Sequence, residues 1–116
     1  MNLTYSKQNK TLLVKIDGEI DHHTCEKLRT ETEHALEKMR MKHIVFIFTN
    51  VTFMDSSGIG VLIGRYKDVS HMGGRVAVAA PSEQMERIFA LSGLKSIIPC
   101  FATQEQALIY VEGARE

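Results

Sequence analysis

The chain has 116 residues, enough for one core and too few for two. Hydrophobic residues make up 44% and charged residues 24%, with 14 basic side chains against 14 acidic ones; disorder is excluded, and no basic stripe offers itself to a nucleic acid. No apolar run approaches the roughly 20 residues of a membrane span. Met1–Lys7 has no leader pattern, and Cys25 and Cys100 follow no metal or redox spacing. A single cytoplasmic domain over residues 1–116, with free thiols and no membrane or nucleic-acid partner, is therefore expected.

Leu3 and Tyr5, then Leu12, Val14 and Ile16, alternate with polar residues on either side of Gln8-Asn9-Lys10. This predicts a β-hairpin whose second strand has one buried face and ends at Asp17-Gly18. Gly18–Thr24 reads as a polar connection, with Asp21 or Thr24 capping the helix that follows. In that helix Cys25, Leu28, Thr32, Ala35, Leu36 and Met39 share a face, and the charged residues occupy a solvated one. His43–Thr49 is apolar on both faces, as in a central parallel strand. After Thr49-Asn50 comes a connection over Asn50–Gly58, then a helix with Ile59, Leu62, Ile63, Tyr66 and Val69 on one face.

Met72-Gly73-Gly74 stops that helix, and Arg75–Ala80 is a second strand buried on both faces. Pro81 and Ser82 open a helix with Met85, Ile88, Phe89 and Ser92 on one side and Gly93 at its end. Ile97-Ile98-Pro99 reads as a short edge strand. Thr103 and Gln106 have the capping-box spacing of a last helix, which faces the core with Ala107, Leu108 and Val111. The order β-β-α-β-α-β-α-β-α predicts an α/β fold: a mixed sheet of four to five strands, parallel in the middle, with about four packed helices. The strand-to-helix connections then gather at one end, where Asp21, His22, Asp55, Ser56 and Ser57 form one polar surface.

Asp55, Ser56 and Ser57 stand at a helix start, where each is able to cap. A hydroxyl there also lies in the positive end of the helix dipole, a setting that tolerates phosphate. Enzyme chemistry finds less support. The run Gly58-x-Gly60-x-x-x-Gly64 departs from a dinucleotide fingerprint by one position and lacks the acidic residue downstream, so close packing of helix on sheet accounts for the glycines better. There is no P-loop, no G-x-S-x-G, no magnesium partner for an Asp55 nucleophile, and no ligand spacing around His22-His23. No catalytic residue, metal or cofactor is assigned.

Gly18-Glu19-Ile20-Asp21-His22-His23-Thr24 and Phe53-Met54-Asp55-Ser56-Ser57-Gly58-Ile59-Gly60-Val61 together resemble the signatures of the anti-sigma-factor antagonists, which carry a STAS domain. They are most like the sporulation sigma-F branch of endospore-forming bacteria. The resemblance continues through Tyr66-Lys67, Ile88–Leu94 and the last helix; Ile20 and Ile59 stand where leucine is more usual, and Cys25 and Thr49-Asn50 are less familiar. It implies a partner-switching regulator of transcription rather than an enzyme. The unphosphorylated form would bind an anti-sigma factor that is also a serine kinase and so release the sigma factor. The kinase would phosphorylate Ser56 with its own ATP, and a serine phosphatase would reverse the step. The same resemblance puts Asp21, Asp55, Ser57, Gly58, Ile59 and Gly60 around Ser56 on the docking surface, and His22 joins them from the polar surface at the end of the sheet. Two other readings remain: a constitutive STAS-type interaction module, and a nucleotide-binding protein prompted by the glycine run.

Overall fold

A computed structural model describes residues 1–113; residues 114–116, the end of the domain read as 1–116, lie outside the described residues. Strands β1 (Asn2–Gln8), β2 (Thr11–Ile20), β3 (His43–Met54), β4 (Val76–Ala79) and β5 (Cys100–Phe101) form one sheet in sequential order. β1 and β2 are the antiparallel hairpin, with Asn2 opposite Asp17 and Gln8 opposite Thr11; the remaining neighbours are parallel. Helices α1 (Cys25–Lys38), α2 (Ser56–His71), α3 (Glu83–Leu91) and α4 (Gln104–Glu112) connect or follow the strands.

The pleat sorts side chains between two cores. Leu12, Val14, Ile16, Ile44, Phe46, Phe48, Val76 and Val78 face one side, where Leu28 of α1, Leu62 of α2 and Phe89 of α3 cover them. Leu13, Val45, Ala77 and Ala79 face the other, under Ala107, Leu108 and Val111 of α4. The alanines of β4 leave α4 room to lie close to the sheet. Phe48 meets Phe89 edge-on, with ring centroids 5.5 Å apart.

Several sequence expectations need correction. β2 is buried on both faces from Thr11 to Val14, because α4 covers Leu13. It also runs past Asp17-Gly18 to Ile20: Gly18, at φ 118°, absorbs an irregularity that a side-chain-bearing residue would resist. β3 likewise continues beyond Thr49-Asn50 to Met54, so most of the Asn50–Gly58 connection is strand. Its buried residues there are Phe48, Val51 and Met54, every third one, because β3 carries two more residues than β2 over the shared stretch. That spacing conceals a strand from any test of alternation.

In α2 the buried face is Gly58, Val61, Leu62, Arg65 and Val69, while Ile59, Ile63 and Tyr66 pack at its margin. The stripe is turned because Arg65, 5% exposed, buries its stem and pairs its guanidinium with Glu33 of α1 (2.5 Å) and Asp68 (3.1 Å). Ile97-Ile98-Pro99 is not a strand. Leu94–Ser96 forms a single 3₁₀ turn, Ile98 is fully buried, and the edge strand is Cys100–Phe101. Of the three glycines in the run, only Gly58 explains itself by close packing: a Cβ there would lie 2.7 Å from Ile20 and Met54 side-chain atoms, whereas at Gly60 and Gly64 it would meet nothing within 4 Å.

Candidate functional site

β2 and β3 end side by side, Ile20 opposite Met54, so the segments entering α1 and α2 are neighbours. Asp55 joins them. Its backbone N–H donates to the Ile20 carbonyl (3.2 Å). One carboxylate oxygen, Oδ1, accepts from the N–H groups of Ser57 (2.9 Å) and Gly58 (3.3 Å), capping α2; the other, Oδ2, accepts from the His22 N–H (3.2 Å). Of the three candidates, Asp55 is thus the cap. Ser56 becomes the first residue of α2 and is exposed.

The partner loop is built by a similar economy of short side chains. Asp21 Oδ1 accepts from the N–H groups of His23 (2.9 Å) and Thr24 (3.1 Å), and the Thr24 hydroxyl accepts from Asp21 N–H (2.9 Å) and donates to the Glu19 carbonyl (2.8 Å). Thr24 is the residue before α1 but caps nothing in the helix; Asp21, through its side chain and its carbonyl, closes the turn. Burial acts to raise the Asp21 carboxyl, yet the His23 and Thr24 N–H groups, the Thr24 hydroxyl and the His23 ring together hold it below its usual value. His22 and His23 are exposed, their rings edge-on at 5.2 Å.

The structure therefore brings Asp21, His22, Asp55, Ser56 and Ser57 together at the end of the sheet. Gly60 is exposed one turn beyond Ser56, and Ile59 is half-buried against the core rather than free. Gly58 lies beneath the surface, fitted against Ile20 and Met54. Phe53, 42% exposed, and its register neighbour Glu19 stand at the rim; both lie in the two motifs but were not expected among the site residues. An aromatic residue at a strand end looks like core until the two extra residues of β3 are known. The glycine run sits inside α2, with Gly58 in its first turn, and does not form a strand-to-helix loop around a phosphate.

Among the described residues no group of three or more His, Cys, Asp or Glu is placed to hold a metal, and no helix is long and apolar enough to cross a membrane. Burial, partly opposed by Lys95, pushes the Cys100 thiol up to about 11, which leaves it un-ionised at neutral pH.

Asp55→Ala is expected to lower the unfolding free energy by about 1–2 kcal/mol, the ordinary cost of losing an N-cap. Asp55→Asn, which keeps an acceptor for Ser57 and Gly58, should lose less than half of that. Urea titrations followed by circular dichroism would measure both; equal losses would show that charge rather than the bond geometry matters here.

Comparison with known proteins gives this geometry a family. The STAS domain matches residues 2–107. The chain belongs to the STAS family. This STAS domain is 37% identical over 114 residues to the anti-sigma F factor antagonist of Paenibacillus polymyxa, covering 97% of each chain. It is 32% identical over 105 residues to the anti-sigma-B factor antagonist of Bacillus subtilis, covering 90% of this chain and 94% of that one. Among solved structures, the anti-sigma factor antagonist SpoIIAA in its unphosphorylated form superposes with a TM-score of 0.72 at 29% identity, over 97% of this chain and 99% of that one. The Bacillus cell fate determinant SpoIIAA in its phosphorylated form gives 0.72 at 30% identity, over 94% and 98%. The STAS fold, a five-stranded mixed sheet with four helices, is as the motifs implied.

Proposed function

We propose that this STAS domain is a cytoplasmic anti-sigma factor antagonist of the sigma-F type, switched by phosphorylation of Ser56. Unphosphorylated, it docks on an anti-sigma factor that is also a serine kinase, and the sigma factor is released. Asp21, His22, Asp55, Ser57 and Gly60 surround the acceptor on the docking surface, with Ile59 at its edge and Gly58 setting the height of the α2 start. A serine phosphatase returns the modified form to service.

The observation that carries this reading is the division of labour at the start of α2. Asp55 caps the helix, so Ser56 is exposed, uncommitted to the fold, and free to take a phosphate without unmaking the first turn. The positive end of the helix tolerates that charge, whereas a partner seated on it would not. Proteins named antagonists of anti-sigma F factors at 37% and 34% identity, and SpoIIAA structures described as unphosphorylated and phosphorylated forms, support the same reading.

Incubation with purified anti-sigma F factor and radiolabelled ATP is expected to label the chain at Ser56. Ser56→Ala should be captured by the same protein and stay unlabelled. Label that persists in Ser56→Ala, mapped to Ser57 or elsewhere, would overturn the assignment.

A further inference from the structure

We infer that His22, with a smaller contribution from His23, is the built-in counter-charge of the phosphorylated state and makes that state dependent on pH. The inference rests on Ser56 being the phosphate acceptor. Two tethers fix the position of His22: its N–H is bonded to Asp55 Oδ2 (3.2 Å), and the Asp55 N–H is bonded to the Ile20 carbonyl (3.2 Å). The His22 backbone is therefore held against the residue that precedes Ser56. Its imidazole is exposed and beside that of His23.

Around this point the described residues provide almost no other positive charge. Neither Ile16–Glu26 nor His43–Gly64 contains a lysine or an arginine, and the connections Ala80–Ser82 and Ala102–Thr103 at the same end add none. Glu19 on β2, Asp21 in the loop and Asp55 at the start of α2 are acidic, while Glu26 on α1 is already paired with Arg29, whose guanidinium also faces Glu33 (3.6 Å). Lys27, on the first turns of α1, reaches instead to the Met1 carbonyl (3.3 Å), and the Met1 amino group stands beside Gly18, 3.7 Å from where a Cβ would be. The Cys25 thiol donates to the His22 carbonyl (3.5 Å).

A phosphoserine carries about −1.5 to −2 charges at neutral pH. Placed at Ser56 among these carboxylates, it finds His22 and His23 as the cations within the two loops. The dianion favours the protonated imidazole and raises its titration midpoint; the imidazolium in turn lowers the second ionisation of the phosphate. The sign follows. The stabilisation grows as pH falls through the raised imidazole midpoint and fades again as pH falls through the lowered second ionisation of the phosphate, so it favours the phosphorylated form most between those two midpoints.

The test uses the full chain with phosphoserine encoded at position 56 during synthesis, so no kinase is needed. Proton NMR titration of the two imidazoles at 0.15 M salt should show the His22 midpoint rising by about half to one pH unit over the unmodified chain, and His23 rising less. Phosphorus NMR of His22→Gln carrying the same phosphoserine should show the phosphate midpoint moving upward relative to the wild-type sequence. At 1 M salt the His22 rise should shrink to less than half, as an exposed charge pair requires and a change of packing does not. A His22 midpoint within about 0.1 pH unit of the unmodified chain, or a phosphate midpoint unmoved by His22→Gln, would overturn the inference while leaving the functional reading intact. Failure of the anti-sigma F kinase to label Ser56 would sink that reading and leave the histidine measurement standing.

Discussion

Phosphorylated at Ser56, the chain is expected to bind the anti-sigma kinase more weakly by a factor between about 30 and several thousand, the equivalent of roughly 2–5 kcal/mol. The size comes from desolvation. In the complex the neutral Ser56 hydroxyl would be covered together with Asp55, whose Oδ1 is already shared by two helix N–H groups and whose Oδ2 holds His22. Neither of those bonds is available to a new dianion, and the flanking segments supply no lysine or arginine to meet it. A partner fitted to the neutral hydroxyl must then bury, beside an existing carboxylate, a dianion that the exposed His22 and His23 imidazoles offset only in part. Titration calorimetry with modified and unmodified chains would read the difference, and phosphatase treatment should restore the original affinity. Ser56→Asp, with one charge instead of nearly two and a shorter reach, should fall between them. Equal capture of the two forms by the kinase would end the switching account and leave a constitutive interaction module.

The largest stability effect should come from a glycine remote from this surface. A Cβ at Gly74 would sit 2.0 Å from the Lys42 carbonyl oxygen, 3.0 Å from its carbonyl carbon and 2.8 Å from a Val69 methyl. Backbone at the start of β3 cannot swing aside as a side-chain end can, because Lys42 and His43 both donate their N–H groups to the Lys10 carbonyl (2.8 and 3.0 Å). Gly74→Ala is therefore expected to cost about 3 kcal/mol or more, at the upper end of overpacking effects. For a domain of this size that is a fall in Tm of roughly 10 °C. Gly60→Ala and Gly64→Ala should do the reverse, each adding about 0.5–1 kcal/mol, since both lie in α2 with open space where the methyl would go. Scanning calorimetry of the three variants would decide; a destabilised Gly60→Ala would mean that unmodified α2 is held by something other than its own backbone there.

These contrasts show where sequence patterns stop informing. The alternation of Leu12, Val14 and Ile16, the double-sided apolar run of Ile44–Phe48 and the capping residues Ser82 and Thr103 each act locally, and each marks an element found in place. At Thr103 the box is completed with a variation: its hydroxyl accepts from Gln106 N–H (3.2 Å), while the Gln106 side chain accepts from Ala102 N–H (3.2 Å) instead of that of Thr103. Arg65 was illegible because its burial depends on Glu33, which lies 32 positions earlier and meets it only after α1 and α2 have packed. The glycines of α2 look alike as letters; only the approach of Ile20 and Met54 separates Gly58 from Gly60 and Gly64.

The candidate site divides in the same way. That a helix begins near Asp55-Ser56-Ser57 could be read from apolar periodicity. Which of the three caps it could not, because the decision belongs to His22, whose N–H takes the second Asp55 oxygen from another loop. Asp21 and Thr24 present the matching case, two plausible caps whose hydrogen bonds turn out to shape the turn rather than the helix.

The three-residue steps from Phe48 to Val51 to Met54 set a mechanical condition on the whole surface. They deliver Met54 to the inner side of the sheet and so start the next residue, Asp55, on the heading that lets its two oxygens serve different loops. Removing one residue from this stretch would turn that heading toward the opposite side while leaving the central pairings of β3 untouched. Length, more than composition, is what the segment from Phe48 to Met54 must preserve, and the exposed Thr49 and Thr52 have latitude that the count of residues does not.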